Sequence, residues 1–264
     1  YITDRVFAPS HDGVEIPISL VRHKNTELTK NTPILLYGYG SYGNTIDPWF
    51  SSARLSLLDR GFAFAIAHIR GGQNLGRSWY EDGKLLNKKN SILDYISCAE
   101  YLIKEKITTP EHLVGHGNSA GGLVVAAAIN ERPELFNTVI LDHPFVNVLH
   151  SMIDPNLPLT IDEYKEWGDP SSEEAYDYIK SYCPYEQLSS KDYPNVIILS
   201  GFEDKQTPCW QQAMYMAKLR SSSSENNALM ITDLHAGHIG STVGNNWIKQ
   251  FSLIYSFVEM MQPD

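Results

Sequence analysis

The stretch that most restricts how this chain can fold is Gly117-Asn118-Ser119-Ala120-Gly121, a G-x-S-x-G pentapeptide set between a β-type run at 112–115 and a helix-type run at 123–130. A strand that enters a helix through so tight a turn points to a parallel α/β sheet, and the turn holds the serine hydroxyl clear of both elements. Small residues permit it. Gly117 and Gly121 leave room for the crossing backbone, Ala120 leaves the next N–H open to an oxyanion, and Gly122 lets the helix pack closely on its strand. Most bare matches to this pattern are ordinary loops, so its placement between strand and helix is what gives it weight.

The rest of the chain repeats that alternation. Strand-type segments at 14–21, 33–37, 62–69, 138–141, 196–200 and 228–231 are interleaved with helix-type segments at 52–60, 91–105, 173–181, 208–220 and Asn246–Met260. This order predicts an α/β fold, a mostly parallel twisted sheet with helices on both faces. Residues 145–170 carry no clear period and are rich in Asp, Pro and Thr, so an insertion or lid is expected there, and 221–227 reads as a polar surface loop. No internal repeat is visible. With 264 residues and 42% hydrophobic content, residues 1–264 are expected to form a single domain around one substantial core.

Charge and cysteine usage narrow the partners. The balance of 21 Lys+Arg against 31 Asp+Glu, a formal charge of −10, disfavours nucleic acid and favours cationic ligands. No apolar run approaches the ~20 residues of a membrane span, and the N-terminus lacks the charged-then-apolar order of a signal peptide. Cys98, Cys183 and Cys209 are too scattered for a disulfide framework or a zinc knuckle, so a reducing, cytoplasmic setting is expected. A chain that opens on Tyr1 reads as a fragment or a processed form.

A serine hydroxyl is a poor nucleophile at neutral pH, so the pentapeptide calls for a histidine base and a carboxylate to orient it, both further along the sheet. Asp204 follows the apolar strand at 196–200, and His238 comes just past the last strand, 85 and then 34 residues on, in the order Ser, Asp, His. Glu203 competes with Asp204, and His235 and His112 with His238. A metal is not expected. His112 and His116 fall on a strand-type run, where a spacing of four does not gather side chains round one ion, and no carboxylate motif accompanies them or the pair His235 and His238.

Several segments in order carry a resemblance. They include Leu36-Tyr37-Gly38-Tyr39-Gly40-Ser41-Tyr42-Gly43, Trp79-Tyr80-Glu81-Asp82-Gly83-Lys84, Asn130-Glu131-Arg132-Pro133-Glu134-Leu135-Phe136, Glu166-Trp167-Gly168-Asp169-Pro170 and Ala236-Gly237-His238. The chain resembles the catalytic domain of the prolyl oligopeptidase family of serine peptidases, nearest the oligopeptidase B branch. The resemblance implies an α/β-hydrolase fold, with Ser119, Asp204 and His238 as the triad, and it decides against His235. It also implies an oxyanion hole made by the Tyr39 hydroxyl and the Ala120 N–H. Acidic receptors for basic substrate side chains map to Glu163 and Asp47. The implied activity is cleavage of short, basic peptides after Arg or Lys by an acyl-enzyme route without a cofactor. Two alternatives stay open, a prolyl-specific or broad esterase-like hydrolase on the same triad, and a catalytically silent binding module.

The chain departs from the family pattern in places. The family's N-terminal β-propeller is not in this sequence, Asn118 stands where a glycine is commoner, and Lys165 and Trp49 occupy positions that are often acidic. Lys165 is expected to compete for Glu163, and Trp49 to weaken any preference for paired basic residues.

Overall fold

The computed structural model describes residues 1–223, 226–240 and 246–263. Its strands are β1 (Ile2–Pro9), β2 (Glu15–Arg22), β3 (Ile34–Gly38), β4 (Ala63–Ala67), β5 (Leu113–Asn118), β6 (Thr138–Asp142), β7 (Asn195–Gly201) and β8 (Ala228–Asp233). Its helices are α1 (Ser52–Leu58), α2 (Arg77–Glu81), α3 (Lys88–Lys104), α4 (Ala120–Glu131), α5 (Val148–Ile153), α6 (Thr160–Trp167), α7 (Glu173–Tyr182), α8 (Pro184–Gln187), α9 (Cys209–Ser222) and α10 (Asn246–Met260). Among the described residues the eight strands form one sheet in the order β1-β2-β4-β3-β5-β6-β7-β8. The β1/β2 and β2/β4 pairs are antiparallel and the others parallel.

Both faces of the sheet are covered, which is why its central strands read as unbroken apolar runs. Side chains alternate along each strand. Ile34, Leu36, Val139, Leu141, Val196 and Ile198 face one core, with Tyr95 and Leu102 of α3, Val124 of α4 and Leu219 of α9. Leu35, Ile140, Ile197 and Leu199 face the other, with Leu57 and Leu58 of α1 and Ile254 and Phe257 of α10. Because β5, β7 and β8 run parallel, their carboxyl ends share one edge of the sheet, and the segments that follow them carry Ser119, Asp204 and His238.

Several details differ from the sequence expectations. Strand β1 is not signalled in the sequence, because as an edge strand its residues are mostly exposed and show no alternation. The stretch 145–170 is not without structure, since α5 and α6 lie within it and bury Val148, Leu149, Met152 and Trp167. His112 ends a 3-10 turn, Pro110–His112, and does not lie on the strand. Helix α9 reaches Ser222 into the expected polar loop, of which Ser224 and Glu225 lie outside the described residues.

A buried ion pair ties the N-terminal hairpin and the segment after β4 to α3. The Arg70 guanidinium grips Asp94 with two bonds, Nε to Oδ2 at 2.9 Å and Nη2 to Oδ1 at 2.7 Å. The Arg70 main-chain N–H adds a third at 3.0 Å, Ser10 Oγ donates to Asp94 at 2.6 Å, and Asp12 takes Arg70 Nη1 at 2.6 Å. Asp94 is fully buried, so its charge depends on these donors. Asp94→Asn keeps the shape but leaves a guanidinium buried without its main counter-charge, and should cost about 3–5 kcal/mol. Urea unfolding checks this. A loss under about 1 kcal/mol would mean that Asp12 alone compensates Arg70.

Candidate active site

The site begins with an enforced backbone. Ser119 sits between β5 and α4 at φ 51, ψ −120, a conformation that a residue with a side chain holds only when its surroundings impose it. Here they do. The Ser119 N–H donates to the Asp142 carbonyl at 2.9 Å, and the Ser119 carbonyl accepts from Gly122 at 2.9 Å and Phe145 at 3.0 Å. Crowding demands the glycines: a Cβ at Gly117 would lie 2.2 Å from the Gly121 carbonyl oxygen, and one at Gly121 would lie 2.4 Å from that of Gly38. Gly122 makes its close approach to Pro144, 2.5 Å from a hypothetical Cβ, more than to its own strand. Asn118 does not disturb the turn. Its Nδ2 donates at 3.2 Å to the Asp142 carbonyl that also takes the Ser119 N–H, so it braces the elbow.

The structure brings three of the candidate residues into one hydrogen-bonded line. Ser119 Oγ lies 2.9 Å from His238 Nε2, and His238 Nδ1 lies 2.8 Å from Asp204 Oδ2. Asp204 is buried while its rival Glu203 is exposed, and His235 is exposed as well. Oδ1 of Asp204 accepts the Gln206 and Thr207 N–H groups at 2.8 and 3.0 Å, and Oδ2 lies 2.9 Å from the Thr207 hydroxyl. Burial pushes the Asp204 carboxyl up, but His238 and the Thr207 N–H outweigh it and hold its pKa below the ordinary aspartate value. A fixed anion behind Nδ1 leaves Nε2 facing the serine as a proton acceptor.

Thr207 escaped the sequence reading. Its hydroxyl lies within 2.9 Å of both Asp204 Oδ2 and the His143 carbonyl, and 3.2 Å from His238 Nδ1, so it touches both the imidazole and the carboxylate behind it. The only local signal was a threonine three residues after Asp204, within reach of a carboxylate that accepts the N–H groups of its own turn.

Ser119 and His238 open into a cavity of about 460 Å³ that also includes Tyr39, Ala120, Phe145, Met152 and Glu163. Ala120 is the first residue of α4, where the helix supplies no acceptor for its N–H. Burial raises the phenol pKa of Tyr39, with bonding to Asn44 and Ser119 opposing, so the hydroxyl keeps its proton. Glu163 Oε2 accepts from the Tyr42 hydroxyl at 2.8 Å and from Trp167 Nε1 at 2.9 Å. Lys165 does not compete for it. The two residues lie on α6 two positions apart, about 200° round the helix, and Lys165 is exposed.

Asp47 is not brought to this cavity. It is exposed and lines a separate one of about 740 Å³, together with Trp49, Arg54 and His68. The histidines weighed as metal ligands do not converge either. Burial drives the His116 imidazole down to about 4, its ring packs edge-on to Tyr37 at 5.1 Å, and His112 Nδ1 faces Gln262 at 3.3 Å. Among the described residues no group of three or more His, Cys, Asp or Glu could hold a metal ion, and no helix is long and apolar enough to cross a membrane.

Known proteins resemble this chain over most of its length. The prolyl oligopeptidase family pattern matches residues 48–262. Dipeptidyl aminopeptidase BI of Pseudoxanthomonas mexicana is 44% identical over 260 residues, 98% of this chain and 36% of that protein. Protease 2 of Moraxella lacunata is 40% identical over 256 residues, 97% of this chain and 37% of that one. Oligopeptidase B from Leishmania major superimposes with a TM-score of 0.96 at 41% identity, over 99% of this chain and 36% of its own. Oligopeptidase B from Trypanosoma brucei with covalently bound antipain gives 0.91 at 41% identity, over 96% of this chain and 37% of its own. The chain therefore spans little more than a third of the length of these relatives. Its sheet and helices form an α/β-hydrolase fold, and the chain belongs to the prolyl oligopeptidase family.

Proposed function

We propose that this chain is the catalytic part of a cytoplasmic serine oligopeptidase that cleaves short peptides on the carboxyl side of Arg or Lys. The remainder of such a protein would supply the β-propeller. The observation that carries the reading is the unbroken line from Ser119 Oγ through the His238 imidazole to buried Asp204. Ser119 Oγ attacks the scissile carbonyl while His238 Nε2 takes its proton. The C–N bond then breaks, the same proton leaves with the amine, and water hydrolyses the Ser119 ester by the reverse transfers. The Tyr39 hydroxyl and the Ala120 N–H hold the oxyanion.

Glu163 supports basic specificity. Its two protein bonds among the described residues fall on Oε2, which leaves Oε1 for a guanidinium or ammonium in the Ser119 cavity. A carboxylate there suits a proline ring poorly, which favours a basic substrate over the prolyl reading. The strained Ser119 argues against a silent binding module, which has no use for a hydroxyl held against a base. Asp47, in its separate cavity, lends no support to recognition of a second basic residue.

Ser119→Ala and His238→Ala should each lower kcat on an arginyl amide by roughly 10⁴–10⁶ with far-ultraviolet circular dichroism unchanged, and the double variant should lose little more. Near-normal amidase activity in Ser119→Ala would overturn the mechanism. Glu163→Gln should lower kcat/KM for arginyl amides about 10–100-fold, mainly through KM, and leave cleavage after uncharged residues almost untouched. Equal losses on both substrates would make Glu163 a structural group.

A further inference from the structure

We infer that Lys88 and Glu166, two buried charged residues outside the triad, act as positioning residues that hold the Tyr39–Tyr42 turn at separate points and so aim the Tyr39 hydroxyl at the oxyanion. This rests on the reading of Tyr39 as an oxyanion donor. One main-chain bond, from the Asn44 N–H to the Ser41 carbonyl at 3.0 Å, closes the turn, but its backbone is strained. Gly40 has φ 67 and Tyr42 φ 59, and the second carries a side chain in a region such residues avoid.

Each point meets a charge of the fitting sign. Lys88, the first residue of α3, is fully buried, and its Nζ donates to the Gly40 carbonyl at 2.5 Å and to Ser41 Oγ at 2.7 Å. Glu166, near the end of α6 and also buried, accepts the Tyr42 main-chain N–H at 2.8 Å and the Tyr80 hydroxyl at 2.7 Å. The cation thus takes two acceptors of the turn, the Gly40 carbonyl also accepting from Ser91 Oγ at 3.3 Å, and the carboxylate takes the Tyr42 N–H. Burial lowers the Lys88 amine to about 8, with Glu166 opposing. Holding a lysine and a glutamate out of water is costly, and an apolar pair of like volume would fill the space with less penalty. What an apolar pair lacks is direction. The backbone of Tyr39 in turn lies against the elbow, 2.9 Å from a hypothetical Cβ on Gly121, so a small shift of the turn moves the phenol relative to Ser119.

The test is a double-mutant cycle in the intact protein, with kcat and KM measured on an arginyl amide. Lys88→Met should lower kcat roughly 10–100-fold, the scale of a misplaced catalytic group, with KM changed less than about threefold. In a Tyr39→Phe background the same change should cost less than about twofold, because no hydroxyl remains to be aimed. Losses that multiply would overturn the clamp and make Lys88 a general support of the fold. Should Lys88→Met fail to fold, Ser41→Ala removes one Lys88 acceptor instead, and the same test applies: a kcat loss that vanishes in the Tyr39→Phe background supports the clamp, and an additive loss or no loss overturns it. If Tyr39→Phe alone left kcat intact, the oxyanion reading itself would fall and this inference with it. A costly Tyr39→Phe with additive losses would sink the clamp alone.

Discussion

Everything at this site depends on the backbone of Ser119. A φ of 51 with ψ −120 costs of the order of 1–3 kcal/mol for a residue with a side chain. The three main-chain bonds to Asp142, Gly122 and Phe145 offset this at about 1 kcal/mol each. The two magnitudes nearly cancel, so the turn stands only where packing forbids the alternatives. Glycines at 117 and 121 let the helix start cross the strand end at distances no side chain would allow. The hydroxyl is thereby placed within 2.9 Å of His238 Nε2, on a loop 119 residues away.

Polar groups are arranged behind that geometry in two separate supports. On one side Asp204 and Thr207 fix the imidazole, and the Thr207 hydroxyl also reaches the carbonyl of His143, the residue after β6. On the other, Lys88 and Glu166 hold the turn that bears Tyr39. Each support joins elements far apart in the chain. Prior ordering of this kind would avoid reorganisation during a reaction, which would offset the penalty of burying charges where apolar packing is less costly.

The sequence revealed the parts of this arrangement that are local. The elbow could be read because its residues are contiguous, and Asp204 and His238 because each follows a strand in the expected order. Choosing them over Glu203 and His235 needed the resemblance, since burial separates the first two residues and exposure the second pair only in three dimensions. Strand β1 was hidden because antiparallel pairing at an edge leaves its side chains exposed. Helices α5 and α6, of 6 and 8 residues, are too short to show a period and owe their stability to buried Met152 and Trp167. Lys88 and Glu166 were invisible for a different reason. Charged residues are mostly exposed, and what buries these two are partners 48 and 124 residues away.

The central claim is that the fold itself makes Ser119 a nucleophile. Treatment with a fluorophosphonate, followed by peptide mass mapping, tests it most directly, because only a serine with an aligned base reacts fast with such a reagent. One adduct is expected, on Ser119, with labelling slowed by orders of magnitude in His238→Ala. An unlabelled protein, or an adduct on another serine, would contradict it.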